Sequence, residues 1–160
     1  MTVDPRAYRD AIGHWATGVA VVTCQGPDGP AGLTTNAVCS VSLDPILLLV
    51  CFDNASRTLP AVRASRRFAV NILAAGREDL AAVFASKRVQ AEKFEAVTHR
   101  IEEGVPVLDD ALAWIACDVA ELHPAGDHTI GIGAVTHVHH VPDGEAPPPL
   151  LFYRGRYVST

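Results

Sequence analysis

The 160-residue sequence predicts a mainly β protein, a small antiparallel β-barrel decorated with short helices. Segments built from Val, Ile, Thr and aromatic residues outnumber segments of helical period by about two to one. Turn signals recur closely, among them Pro27-Asp28-Gly29, Asp44-Pro45, Gly126-Asp127 and Arg154-Gly155. Strands do not alternate with helices, as a doubly wound parallel sheet requires, so an antiparallel sheet that curls to hide its edges is the natural solution.

In chain order, Asp4 followed by Pro5 reads as a helix cap and a first-turn proline. Tyr8, Ile12 and Trp15 then recur at helical spacing, giving a short amphipathic helix that ends near Gly18. Residues 19–24 are strand formers, and the Pro27-Asp28-Gly29 turn returns the chain through Ala31 to Thr34. Over residues 37–42, Val38, Ser40 and Ser42 alternate with Cys39, Val41 and Leu43, a half-buried strand closed by Asp44-Pro45. Residues 46–52 are apolar on both faces and predict a central strand. After a polar turn, Thr58 and Pro60 start a short helix through Val62, and residues 68–73 form a strand interrupted only by Asn71. Residues 79–94 read as one helix, with Leu80, Val83 and Phe84 on its apolar face and Lys87, Arg88 and Lys93 on its polar side. Residues 111–122 and 130–141 are two long strands, 142–149 a proline-rich surface loop and 150–153 a last strand before the tail.

By length the chain is a single domain, 1–160, long enough to bury roughly 70% of its unfolded surface. The net charge of −5, with no cluster of Lys and Arg, argues against nucleic acid as a partner. The N-terminus from Met1 to Arg6 lacks the pattern of a secretory signal, and the longest apolar run, residues 46–52, is too short to span a bilayer. Cys24, Cys39, Cys51 and Cys117 show no C-x-x-C spacing and sit among apolar neighbours, which predicts buried, reduced thiols and a cytoplasmic protein without membrane contact.

Three segments carry candidate chemistry. Gly126-Asp127-His128 is a tight turn that sets an imidazole beside an acid at the mouth of a strand, where it can meet a carboxamide or phosphate; the ordinary alternative is a solvated turn histidine. Thr34, Thr35, Asn36, Ala37 and Val38 are small enough for a flat ring to approach the main chain, or they form an ordinary turn using Asn. Asn54, Ser56, Arg57 and Thr58, following Phe52, combine hydroxyls and a guanidinium that suit a phosphate at a helix start, or a solvated turn with a capping threonine. Gly131-x-Gly133 lacks the third glycine and the strand–turn–helix setting of a dinucleotide fingerprint. His137, His139 and His140 have no neighbouring carboxylate or cysteine in sequence, so no metal site is expected. No nucleophile motif of a hydrolase is present.

The ordered set of motifs resembles the flavin reductase family, the small reductase components of two-component flavin-dependent monooxygenases. The resemblance runs through Thr17-Gly18-Val19, Val21-Val22-Thr23, residues 34–45 and 68–73, Phe84-Ala85, Lys93-Phe94, residues 125–130 and 153–157. Two positions depart from the pattern: Val38-Cys39 stands where the family often has an aromatic and a hydroxyl residue, and Ile46 replaces a frequent second proline. The resemblance implies an FMN-binding split β-barrel of antiparallel Greek-key type. It lays residues 34–38 along the isoalloxazine ring and takes Ser40 toward the ribityl or phosphate region. It assigns Phe52, Asn54, Ser56, Arg57, Thr58, Ala85 and Arg88 to the cofactor, with Lys87 and Lys93 left as a solvated helix face. His128 meets the nicotinamide nucleotide as the catalytic candidate, and Tyr153, Arg154, Gly155 and Arg156 line the same pocket.

The reaction so implied is hydride transfer from NADH or NADPH to FAD or FMN, in which the flavin supplies the chemistry and the protein the placement. The implied partners are a second copy of the chain and a monooxygenase that receives diffusing reduced flavin. The alternative is a non-enzymatic flavin-binding or electron-carrier module on the same barrel, which needs no nicotinamide site.

Overall fold

The computed structural model describes residues 3–158. Met1 and Thr2, part of the N-terminal reading, and Ser159 and Thr160 at the end of the expected domain lie outside the described residues. Asp4 caps α1 (Pro5–Ile12), its carboxylate accepting from the N–H groups of Arg6 and Ala7. The helix stops short of the expected Gly18: Gly13 N–H closes it on Arg9 O, and Trp15 lies beyond it. Its apolar face is not a core face, since no residue of α1 is buried and Trp15 is 73% exposed.

After the short β1 (Thr17–Gly18) come β2 (Ala20–Gly26), β3 (Gly29–Thr35), β4 (Val38–Leu43) and β5 (Ile46–Asp53). Helix α2 (Thr58–Ser65), three residues longer than expected, leads to β6 (Arg67–Leu73). The expected helix over residues 79–94 is two helices, α3 (Glu78–Ala85) and α4 (Gln90–Glu95). Ser86 turns to an extended backbone, and its N–H and hydroxyl close α3 on Ala82 and Val83. Next are β7 (His99–Glu102) and β8 (Val105–Leu108), the long β9 (Ala111–Ala125) and β10 (His128–His140), and the hairpin β11 (Leu151–Tyr153) and β12 (Arg156–Val158).

Seven strands form one antiparallel sheet in the order β3-β2-β6-β9-β10-β5-β4. The neighbours β2–β6 and β10–β5 are far apart in sequence, the long returns of a Greek-key arrangement. The sheet curls, because Ala31 and Leu33 from one edge strand and Val38 from the other pack in one cluster with Val22, Val50 and Phe68. The edges β3 and β4 are consecutive in the chain and separated only by Asn36 and Ala37, so residues 34–38 span the split of the barrel. Strand β5, expected to be central, lies next to the β4 edge; one face is buried and the other half-covered.

Rings fill the interior over glycines. A Cβ on Gly131 would lie 2.7 Å from the Phe52 ring, and one on Gly133 2.7 Å from Phe68 and Cys117. Close packing therefore explains both glycines of the Gly131-x-Gly133 run. The outer surface is covered in two places. Helices α3 and α4 bury Leu80, Phe84 and Phe94 against Val19, Val21 and Leu73. The β7–β8 hairpin, absent from the sequence reading, lays Val105 and Val107 against Ala69, Trp114 and Ala116. Asn71 is fully buried and ties that hairpin down: its amide donates to Val21 O and Thr23 Oγ1, and its Oδ1 accepts from Leu108 N–H at 2.9 Å. Every polar atom of this side chain thus has a partner, as burial demands.

The thiols divide. Cys24 and Cys117 are buried, and desolvation pushes both up to about 12, which makes them inert near neutral pH. Cys51 is half-buried, and Cys39, expected to be buried, is exposed because β4 turns that face outward.

Candidate active site

A cleft of about 470 Å³ opens where β3, α2, α3 and α4 converge. Gly32 makes this approach possible, since a Cβ there would lie 2.8 Å from the Phe84 ring. The elements are stitched across it. Thr34 Oγ1 donates to Ala81 O at 2.7 Å, Gln90 Oε1 accepts from Gly32 N–H, and Gln90 Nε2 donates to Thr58 Oγ1. Arg57 reaches from the start of α2 to the α3–α4 turn, donating to Lys87 O at 3.2 Å and Arg88 O at 3.5 Å. Ser56 Oγ accepts from Leu59 N–H in the first turn of α2.

Lys93 is the residue that sequence reasoning missed. It was read as solvated, yet it is 4% exposed and lines this cleft, with Nζ donating to Phe84 O at 3.0 Å and Gly32 O at 3.5 Å. Burial, and then the charge of Arg57, push its ammonium below the usual lysine range. The break between α3 and α4 is what turns it inward, and the Lys-Phe pair was its only sequence signal. Arg57, Lys87 and Arg88 share the cleft, and none of the four cations is in an ion pair among the described residues. A buried ammonium held only by carbonyls beside three more cations is a donor set that fits a phosphate ester.

His128 opens β10 opposite Asp53, outside this lining. The β9–β10 turn has Gly126 at φ 63° in its first position, where a two-residue hairpin needs glycine. His128 Nδ1 lies 2.7 Å from Asp127 Oδ1, and that contact holds the Asp127 carboxyl below the usual carboxylate range. The turn is pinned from below: Asn54 Nδ2 donates to Gly126 O, Thr129 Oγ1 donates to Asn54 Oδ1, and Arg63 donates to Thr129 Oγ1.

Tyr153, Arg154, Gly155 and Arg156 lie elsewhere, in the β11–β12 hairpin, which pairs with β1 and not with the large sheet. Arg154 and Gly155 both have positive φ, the two-residue turn that makes this hairpin tight. Arg154 and Gly155 line a cleft of about 420 Å³ with Trp15, Thr17, Asn36 and Phe152. Within a single copy of the chain, His128 does not line this cleft.

The structure sorts the remaining candidates. It brings Thr34, Ser56, Arg57, Thr58, Ala85 and Arg88 to the cationic cleft. Asn36 faces the second cleft, where its amide donates to Thr17 Oγ1, so the loop at the split runs between the two concavities. Thr35 Oγ1 accepts from Ala37 N–H and shapes that loop. Phe52 is fully buried with its ring on Phe68, so its side chain is core and not a ligand contact. Asn54 spends its amide on the β9–β10 turn, Val38 packs on the core and Ser40 is exposed on β4. The histidine row does have a carboxylate near it: Glu103 lies 3.3 Å from His137, brought there by the unforeseen β7–β8 turn. His139 stacks on Trp114.

Comparison with known proteins adds to this geometry. Residues 12–160 match the model of the flavin reductase like domain. The chain is 40% identical over 158 residues to the reductase subunit HsaB of a flavin-dependent monooxygenase from Mycobacterium tuberculosis, covering 98% of this chain and 83% of that one. It is 44% identical over 160 residues to a flavin reductase (NADH) from Kitasatospora aureofaciens, covering 97% and 81%. Among solved structures it superposes with a TM-score of 0.89 on the Streptomyces globisporus NADH:FAD oxidoreductase SgcE6 in complex with NAD and FAD fragments. That pair is 35% identical, over 100% of this chain and 96% of the other.

Proposed function

The chain belongs to the flavin reductase-like family, and on that premise we propose that it is an NADH-dependent flavin reductase supplying reduced flavin to a partner monooxygenase. The observation that carries this reading is the cleft in which the buried Lys93 ammonium stands with Arg57, Lys87 and Arg88 at the split of the barrel. When bound, the flavin supplies the chemistry, accepting a hydride from the nicotinamide. The chain supplies binding and orientation. Lys93 and Arg57 hold the phosphate, Ser56 and Thr58 shape the cleft wall, and the main chain of residues 34–38 lies along the ring edge. Main-chain N–H groups of that loop would stabilise the charge that reduction of a bound flavin builds. His128, steadied by Asp127, meets the nicotinamide nucleotide.

A homodimer fits this reading. The free edge strand β4 exposes Val41 and Leu43 at 48% and 84%, Ile46 at the start of β5 is 53% exposed, and α1 with its following turn exposes Tyr8, Ile12 and Trp15. A monomer seldom leaves so much apolar surface beside an open strand edge. A second copy over it also accounts for how His128 and the Arg154 hairpin, separate in one protomer, serve one site. No helix among the described residues is long and apolar enough to cross a membrane. Four unpaired cysteines support a reducing, cytoplasmic setting, which cell fractionation tests.

The function is tested by steady-state oxidation of NADH with and without added FMN or FAD. Turnover that depends on added flavin, with reduced flavin appearing in the filtrate of an anaerobic reaction, is the expected result. No flavin-dependent oxidation sinks the enzyme reading, and flavin retained through many turnovers favours an electron carrier.

A further inference from the structure

Thr129 is a buried polar side chain that neither the cationic cleft nor the core accounts for. Thr23 and Asn71 bond each other and hold β8 through Pro106 O and Leu108 N–H, while Thr58 and Lys93 line the cleft. Thr129 is 2% exposed and follows His128 on the inward face of β10. The next inward positions, Gly131 and Gly133, are packed by Phe52, Phe68 and Cys117, an apolar setting that gives a hydroxyl no role. A buried hydroxyl must still find partners, and through Asn54 those of Thr129 reach the turn that carries His128.

The bonds form a directed chain. Arg63, in the last turn of α2, donates to Thr129 Oγ1 at 3.2 Å, which leaves the Thr129 proton for Asn54 Oδ1 at 2.7 Å. That second bond fixes which way the Asn54 amide faces. Its Nδ2 is turned to Gly126 O at 3.3 Å, and Asn54 N–H donates to Asp127 O at 3.0 Å. Both carbonyls that precede His128 are thus held by one residue. Asp127 does not supply this hold, since its carboxylate is 94% exposed and a solvated pair with His128 is weak. Resting on the proposed contact of His128 with the nicotinamide nucleotide, we infer that Thr129, acting through Asn54, is a positioning residue for His128. It sets where the imidazole stands before the nucleotide arrives, and it touches no ligand itself.

The test is steady-state NADH oxidation at saturating flavin by the full chain, its Thr129→Val and Thr129→Ser variants, His128→Ala, and Thr129→Val combined with His128→Ala. Flavin affinity is followed by fluorescence alongside. Thr129→Val keeps the shape and strand preference of threonine but leaves Asn54 Oδ1 without its donor. It should raise the KM for NADH about fivefold, with kcat and flavin affinity within about twofold of wild type. Thr129→Ser, which retains the hydroxyl, should keep the wild-type KM. In the His128→Ala background, Thr129→Val should add less than about 1.5-fold, because a residue that acts through His128 has nothing left to position. Asn54→Ala, at an exposed site that tolerates truncation, should reproduce the rise in KM and stands in should Thr129→Val fail to fold. A serine variant as impaired as the valine, or a rise in KM as large without His128 as with it, assigns Thr129 to packing and overturns the inference. An unchanged KM in Thr129→Val beside a defective His128→Ala overturns the positioning role alone. An unchanged KM in His128→Ala overturns the nicotinamide contact and the inference with it.

Discussion

His128 and Lys93 show how differently two candidate functional residues are written in a sequence. His128 sits in a Gly-Asp-His turn whose geometry is local, and the hairpin forms where the turn residues place it. Lys93 belongs to a run that reads as solvated polar helix, and only the break after Ala85 rotates it into the interior. Asn71 lies between these cases. Its polarity in an apolar strand was visible, but its partner Leu108 lies on a hairpin that the residue pattern did not disclose. The role proposed for His128 makes a residue-scale forecast. His128→Ala should remove binding shared by ground and transition states, raising the KM for NADH about tenfold with a smaller change in kcat. Flavin affinity should hold, since His128 is outside the cationic cleft. An unchanged NADH response would return His128 to the solvated turn.

At the scale of elements, strands β2 to β6 and β9 to β11 were legible in their order because turn signals bound them. Strand β4 was misjudged in one respect. Its alternation was read correctly, yet Cys39, Val41 and Leu43 point outward, because an isolated amphipathic strand does not say which neighbour covers it. The helical spacing likewise carried α1 toward Gly18, whereas Gly13 closes it and leaves Trp15 exposed beyond its end. The β7–β8 hairpin was missed because its Glu103-Gly104 turn, with φ of 51° and 74°, is only two residues long between two four-residue strands. If β4 and α1 are a dimer face, Leu43→Glu should convert a micromolar dimer to monomer in sedimentation while thermal stability of the protomer changes by less than about 0.5 kcal/mol, as for an exposed site. A monomeric wild type with full activity would remove the dimer.

At the scale of the molecule, the curled sheet leaves its split where β3 passes directly to β4, and both concavities near that split draw on the one loop. The strand content and the antiparallel order follow from pattern; the cleft does not, because it depends on α3, α4 and α2 meeting over Gly32. The central claim is that this cleft holds the flavin by its phosphate through a buried ammonium. It is tested most directly by comparing FMN with riboflavin, which lacks the phosphate, on wild type and Lys93→Met. Wild type should prefer FMN by about ten- to a hundredfold, the worth of one charged hydrogen bond, and the variant should lose that preference while keeping its riboflavin affinity. The preference should also shrink as pH rises through the depressed lysine pKa, below the usual 10.5, because the neutral amine no longer attracts the phosphate. Equal binding of FMN and riboflavin by wild type, or a variant that loses both alike, would contradict the claim.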